Sequence, residues 1–285
     1  MMLLAYGTSY TQDMNKQAHL SVEQNKQYRD YNQQCWVQYL GTKLDIDCKN
    51  MGVAGFGIDS YFARIADSIL HYPQTNIALI EVPTPFRNHF HLLAKKQLKT
   101  NASQLEYWQK TDREDYSYHS PQYKTPDCNK HTVLLNQNLA GRTLEELETW
   151  FLKRLTFNSY AQIPITKEDM MGACSFLAKS DLEQHTREII SKCIHIDGFL
   201  KYKNIETFWW SFTPNVFDII DSVPGNQQLN WLSKNCLLDW CIERGWTRDS
   251  DKFADGHHLN SKEMKIAADE YFLPHLPSCS MRQAL

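Results

Sequence analysis

The chain has 285 residues, 42% hydrophobic and 22% charged, with Trp 8, Tyr 14 and Phe 13. This composition excludes a disordered or fibrous polypeptide and is ample for a core in one or two domains. Lys+Arg 30 against Asp+Glu 33 leaves a net charge of −3, and no Lys/Arg run is longer than Lys95-Lys96, so the electrostatic footprint of a nucleic-acid or anionic-lipid binder is missing.

The opening MMLLAYG lacks the basic region of a secretory signal. Nothing later approaches 18 consecutive apolar residues, so a cytoplasmic protein with no membrane partner is expected. The cysteines (35, 48, 128, 174, 193, 236, 241, 279) are scattered and form no CxxC, which predicts free thiols. His89/His91 and His257/His258 lack further ligands at metal-site spacing, so no metal is expected.

MLLAY at 2–6 is a short apolar run stopped by Gly7, the pattern of a buried strand entering a turn. A long polar stretch follows, until Trp36, Val37, Leu40 and Leu44 take up helical spacing. LDIDC at 44–48 is a brief alternating segment, and the glycines between Asn50 and Gly57 make a turn. Tyr61, Ile65, Ile69 and Leu70 then set up a second helix. IALIEV at 77–82 is the strongest buried-strand candidate, ended by Pro83 and Pro85. From about 91 to 179 the rhythm breaks. This stretch is expected to be a largely helical insertion or lid, with capping-box spacing at Thr143/Glu146 and Thr166/Asp169. Ser180 with Glu183 opens another helix, ETFWWSF at 206–212 is a strand, Trp231 to Trp240 is a helical segment, and a last helix begins near Ser261.

Strands alternating with helices predict a single α/β domain over 1–285. Its expected form is a three-layer α/β/α arrangement whose open parallel sheet carries sites at the carboxyl ends of its strands. Gly7-Thr8-Ser9, Gly52 to Gly57 and Thr84 to Asn88 would then share one edge. Ser9 stands in YGTSYT directly after the first strand; it is either a turn or capping serine or a nucleophile, which would need a base. Asp255 and His258 in FADGHHLN are three residues apart, so a carboxylate could orient an imidazole. The alternative is a turn-capping Asp beside surface histidines, and His257 is the second choice of base. The GxxGxG spacing of Gly52, Gly55 and Gly57 is not that of a dinucleotide fingerprint, and a backbone donor to an oxyanion explains such a glycine equally well.

GTSYT, WVQYLGTKL, NMGVAGFGI, IALIEV and DGHHLN together resemble, in order and rough spacing, the SGNH (GDSL-type) hydrolases, across 2–90 and 180–276. Within that superfamily the chain is similar to divergent members from phages and marine bacteria, which would allow a virion location. The resemblance implies a flavodoxin-like sheet and a serine esterase acting on an acetyl or short acyl ester of a carbohydrate. Ser9 would be the nucleophile and first oxyanion donor, Gly55 the second donor, and Asp255 and His258 the rest of the triad, with no cofactor. Two positions depart from the family pattern. Thr8 replaces the usual Asp before the nucleophile, and PTPFRN replaces GxND, with Pro85 at the oxyanion Asn. Thr84 or Asn88 could replace that donor, and Arg87 could bind a substrate carboxylate. The aromatics Tyr107, Trp108, Tyr116, Tyr118 and Tyr123 either stack on sugar rings or pack the insertion. The competing expectation is a catalytically weak or inactive SGNH-like binding module or virion-associated structural module.

Overall fold

The computed structural model describes residues 1–8, 11, 36–52, 57–58, 61–83, 87–93, 130–136, 143, 145–146, 175, 179, 181–247, 249–253 and 258–276; for 63, 87–93, 130–136, 182 and 215 this means the backbone alone. Two compact units divide the chain, one of Met1–Pro85 with Thr186–Leu285 and one of Phe86–His185.

The first unit is built on a parallel four-stranded sheet. Its strands are β1 (Met2–Tyr6), β2 (Asp47–Asn50), β3 (Thr75–Val82) and, later in the chain, Glu206–Ser211, here β6, in the order β2-β1-β3-β6. β1 and β3 are buried almost throughout, as parallel strands covered on both faces must be. Leu3 and Ala5, Ile77 and Leu79, and Phe208 and Trp210 enter one core cluster with α1 (Trp36–Leu44), α4 (Leu237–Glu243) and α5 (Ser261–Ala267). The alternate residues meet the other helices. Tyr6 hydroxyl lies 2.6 Å from Ser68 Oγ on α2 (Tyr61–His71). Asp197 on α3 (Leu182–Tyr202) accepts from Thr207 Oγ1 and, at 3.0 Å, from Trp209 Nε1. Helices therefore cover both faces of a parallel sheet, the α/β arrangement expected.

The aromatic heart of this core is Trp36 stacked on Phe272 at 4.8 Å, with Trp210 edge-on to both. Such offset and edge contacts are the favoured aromatic geometries. After α5 the chain widens into a π turn, Ala268–Phe272, which carries Phe272 to that stack.

Three local expectations are corrected. Leu70 is 79% exposed, so the buried stripe of α2 runs through Tyr61, Ile65 and Ser68. Trp231 opens no helix: it forms a parallel bridge to Trp209, Trp209 N donates to Asn230 O and Leu232 N to Trp209 O, and the helix begins only at Leu237. The free edge of β6 takes that segment up, because its backbone groups need partners. α3 is capped by Asp181, whose Oδ1 accepts from Glu183 N and Gln184 N.

In the second unit, β4 (Arg87–Leu93) pairs antiparallel with β5 (Lys130–Asn136), Arg87 opposite Asn136. The described part of the expected helical insertion thus contains β structure. Thr143 and Glu146 form the reciprocal capping box, Thr143 N to Glu146 Oε2 at 2.7 Å and Glu146 N to Thr143 Oγ1 at 3.2 Å. Thr166, Asp169 and Ser180 lie outside the described residues.

Candidate functional site

From β1 the chain moves out to β2, then returns past β1 to β3, so the strand order reverses between β1 and β3. Open α/β sheets bind ligands outside the carboxyl ends of strands at such a switch point. Here that point is marked by one acidic residue. Glu81, the penultimate residue of β3, is 1% exposed. Its Oε2 accepts from Thr8 N at 2.9 Å, Thr11 N at 3.1 Å and Thr11 Oγ1 at 2.5 Å, and its Oε1 accepts from Thr8 Oγ1. A buried carboxylate is tolerated when its lone pairs are met in this way.

The partners of Glu81 bracket Ser9 and Tyr10 in the sequence. Thr11 N also lies 3.1 Å from Thr8 O, and Thr11 O accepts from Trp36 Nε1 at 3.1 Å and Asn50 Nδ2 at 2.8 Å. Asn50, the last residue of β2, in turn accepts from Gly52 N at 2.9 Å. It therefore ties the segment after β1 to the start of the glycine-rich segment after β2. Gly7 is required by close approach: a Cβ there would stand 1.7 Å from Thr11 Oγ1 and 2.5 Å from Glu81 Oε2.

At the other end of the chain, Phe253 and Leu259 form an antiparallel bridge, and Asn260 N donates to Lys252 O at 3.0 Å. Asn260 also donates through Nδ2 to Asp251 O and accepts from Lys262 N and Glu263 N at the start of α5. Phe253 and Leu259, on either side of the stretch that holds Asp255 and His258, belong to the same core cluster as Trp36.

Of the residues singled out in the sequence, His258 is described with its side chain and is half-buried. Arg87 and Asn88 are described by backbone, in β4. Ser9, Gly55, Thr84, Asp255 and His257 lie outside the described residues, as do Pro85 and the aromatics at 107–123. Sequence reasoning missed Glu81, Thr11 and the linking role of Asn50. The available signal was a lone carboxylate at the carboxyl end of an otherwise apolar strand, since such a residue must be paired.

Cys193, Cys236 and Cys241 are buried free thiols. Burial pushes the Cys236 and Cys241 thiols up to about 12 and raises Cys193 further. None of these three has the depressed pKa of a reactive thiolate. Among the described residues there is no group of three or more His, Cys, Asp or Glu side chains that could hold a metal ion, and no helix long and apolar enough to cross a membrane. No model of a known protein family matches the chain, and comparison with curated proteins finds no match.

Proposed function

We propose that the protein is a serine ester hydrolase of SGNH type, with its sheet in the flavodoxin-like arrangement, cleaving an acetyl or short acyl ester borne by a carbohydrate. The observation that carries this reading is the Glu81 clamp on Thr8 and Thr11 at the switch point. It holds both neighbours of the Ser9-Tyr10 pair at the sheet edge where a nucleophile is useful.

In the proposed reaction Ser9 Oγ attacks the ester carbonyl while His258 takes its proton, and Asp255 orients the imidazole and stabilises the imidazolium. The N–H groups of Ser9 and Gly55 receive the developing oxyanion, with Thr84 as a third donor. Collapse expels the alcohol, which takes the proton from His258. Water, deprotonated by the same histidine, then releases the acid and regenerates Ser9.

Turnover of p-nitrophenyl acetate and fluorophosphonate labelling test this together. The expected result is label on Ser9 in the parent, and loss of turnover in Ser9→Ala and His258→Ala. Pro85, at the place of the family's oxyanion Asn, favours a second reading, a binding or virion-associated module on the same scaffold. A folded parent that neither labels nor turns over would select it.

A further inference from the structure

We infer that Glu81 is the positioning residue for Ser9, acting through Thr8 and Thr11 on either side of the Ser9-Tyr10 pair, a role that rests on reading Ser9 as the nucleophile. The proposed chemistry assigns Glu81 no proton and no contact with substrate, yet it is a buried carboxylate at the edge where that chemistry would occur. The hydroxyls of Thr8 and Thr11 both donate to it. Each threonine is thereby fixed twice, through its backbone N–H and its side chain.

Thr11 is fixed a third way, because its carbonyl accepts from Trp36 on α1 and Asn50 on β2. Three separate elements, α1, β2 and β3, thus converge on the residue two places after Ser9, and β3 also holds the residue just before Ser9 through two hydrogen bonds. The bare Cα of Gly7 leaves the space in which Thr11 and Glu81 meet. A carboxylate serving general stability could take its donors from anywhere in the fold. Among the described residues, this one takes its four donors from the two residues that flank a single Ser-Tyr pair. Attack requires the hydroxyl in a near-attack geometry, and a misplacement of about 1 Å costs up to about 100-fold in rate.

Glu81→Gln keeps the side-chain shape and turns one acceptor oxygen into an NH₂ that faces threonine donors. The test compares parent, Glu81→Gln, Thr11→Val and Thr11→Ser in Ser9 labelling rate and in kcat and KM on p-nitrophenyl acetate. All are measured well below the melting temperature of each variant. Glu81→Gln and Thr11→Val are expected to label about 10- to 100-fold more slowly, with the loss in kcat and KM held. Thr11→Ser, which keeps the hydroxyl, is expected to label at the parent rate, a rescue that a contribution to stability alone would not produce.

Parent-like labelling of folded Glu81→Gln and Thr11→Val would overturn the inference and leave the esterase reading standing. If Glu81→Gln does not fold, the contrast between Thr11→Val and Thr11→Ser decides in the same way. If the parent itself does not label, the esterase reading fails, and amide hydrogen exchange judges the Glu81 clamp. Thr8 and Thr11 amides protected in the parent and exchanging faster in Glu81→Gln would support the positioning role, and equal exchange would overturn it.

Discussion

Thr11 meets one oxygen of Glu81 twice, with its backbone nitrogen 3.1 Å and its hydroxyl 2.5 Å from Oε2. This double contact exists because residue 7 has no side chain: an alanine Cβ would fall 1.7 Å from Thr11 Oγ1. Gly7→Ala must therefore push Thr11 off Glu81 or shift the end of β1. Overpacking of this kind costs about 1–3 kcal/mol, with a further loss if the carboxylate is left partly unpaired. The urea midpoint should fall accordingly, with the m-value unchanged. A parent-like midpoint would show that the segment relaxes freely.

A second buried carboxylate holds the opposite face of the sheet. Asp197 accepts from Thr207 Oγ1 and Trp209 Nε1 on β6, and Lys201 Nζ lies 2.7 Å from its other oxygen. Asp197→Ala leaves two buried donors without their acceptor, whereas Lys201→Met removes a charge that is half in solvent. The expected costs are about 2–4 kcal/mol for the first and under about 1 kcal/mol for the second. Equilibrium unfolding followed by tryptophan fluorescence measures both. Equal costs would mean that the ion pair, rather than the buried hydrogen bonds, carries the stability.

The sheet was largely legible because its strands are continuous apolar runs with abrupt ends: MLLAY, IALIEV and ETFWWS all form strands where the residues demand them. α1 was legible from Trp36, Val37, Leu40 and Leu44, each of which is buried. Non-local partners were not. Nothing in the spacing of Trp231 and Leu232 distinguishes a helical face from a strand bridged to Trp209, and Arg87–Leu93 finds its partner only after a long intervening stretch. The same reason hid the clamp, since Thr8 and Glu81 lie 73 residues apart. Ser9, Asp255 and His258 were picked out by residue type and spacing, which name candidates but say nothing of the buried groups that hold their neighbours.

Cys236 and Cys241 link burial to pH. Their thiols, ordinarily near 9.0, are pushed up to about 12 in the folded chain, chiefly because burial penalises the thiolate. Below about 9 both states keep these protons, so stability is unaffected there. Between about 9 and 12 the unfolded chain gives them up and the native chain does not, so stability falls as pH rises. Urea midpoints at pH 7, 9 and 10.5 should decline over the last interval, and less steeply in Cys241→Ala. Native alkylation mapped by mass spectrometry should spare Cys193, Cys236 and Cys241. Rapid labelling of Cys236 in native protein would contradict this.

α1 and α3 end in the same way. Asp45 and Asn204 have φ of 53° and 57°, the left-handed region, the first one residue past Leu44 and the second two residues past Tyr202. After α1, Ile46 N donates to Gly41 O and Asp45 N to Thr42 O; after α3, Ile205 N donates to Leu200 O and Asn204 N to Lys201 O. These paired bonds define the Schellman motif, whose left-handed position favours glycine because a Cβ crowds the backbone there. Asp and Asn bear that crowding better than other residues but not without cost. Asp45→Gly and Asn204→Gly should each stabilise the protein by about 0.5 kcal/mol, reduced from the full steric relief by the greater freedom of glycine in the unfolded chain. The two sites share no partner, so the double variant should gain about 1 kcal/mol, or roughly 2–4 °C in Tm. Asn204→Ala is the control: it keeps a Cβ, lacks the local hydrogen bonding of Asn, and should destabilise by about 1 kcal/mol. Calorimetry that ranks Asn204→Ala above Asn204→Gly would show that the strain at this helix end lies elsewhere than in the left-handed backbone.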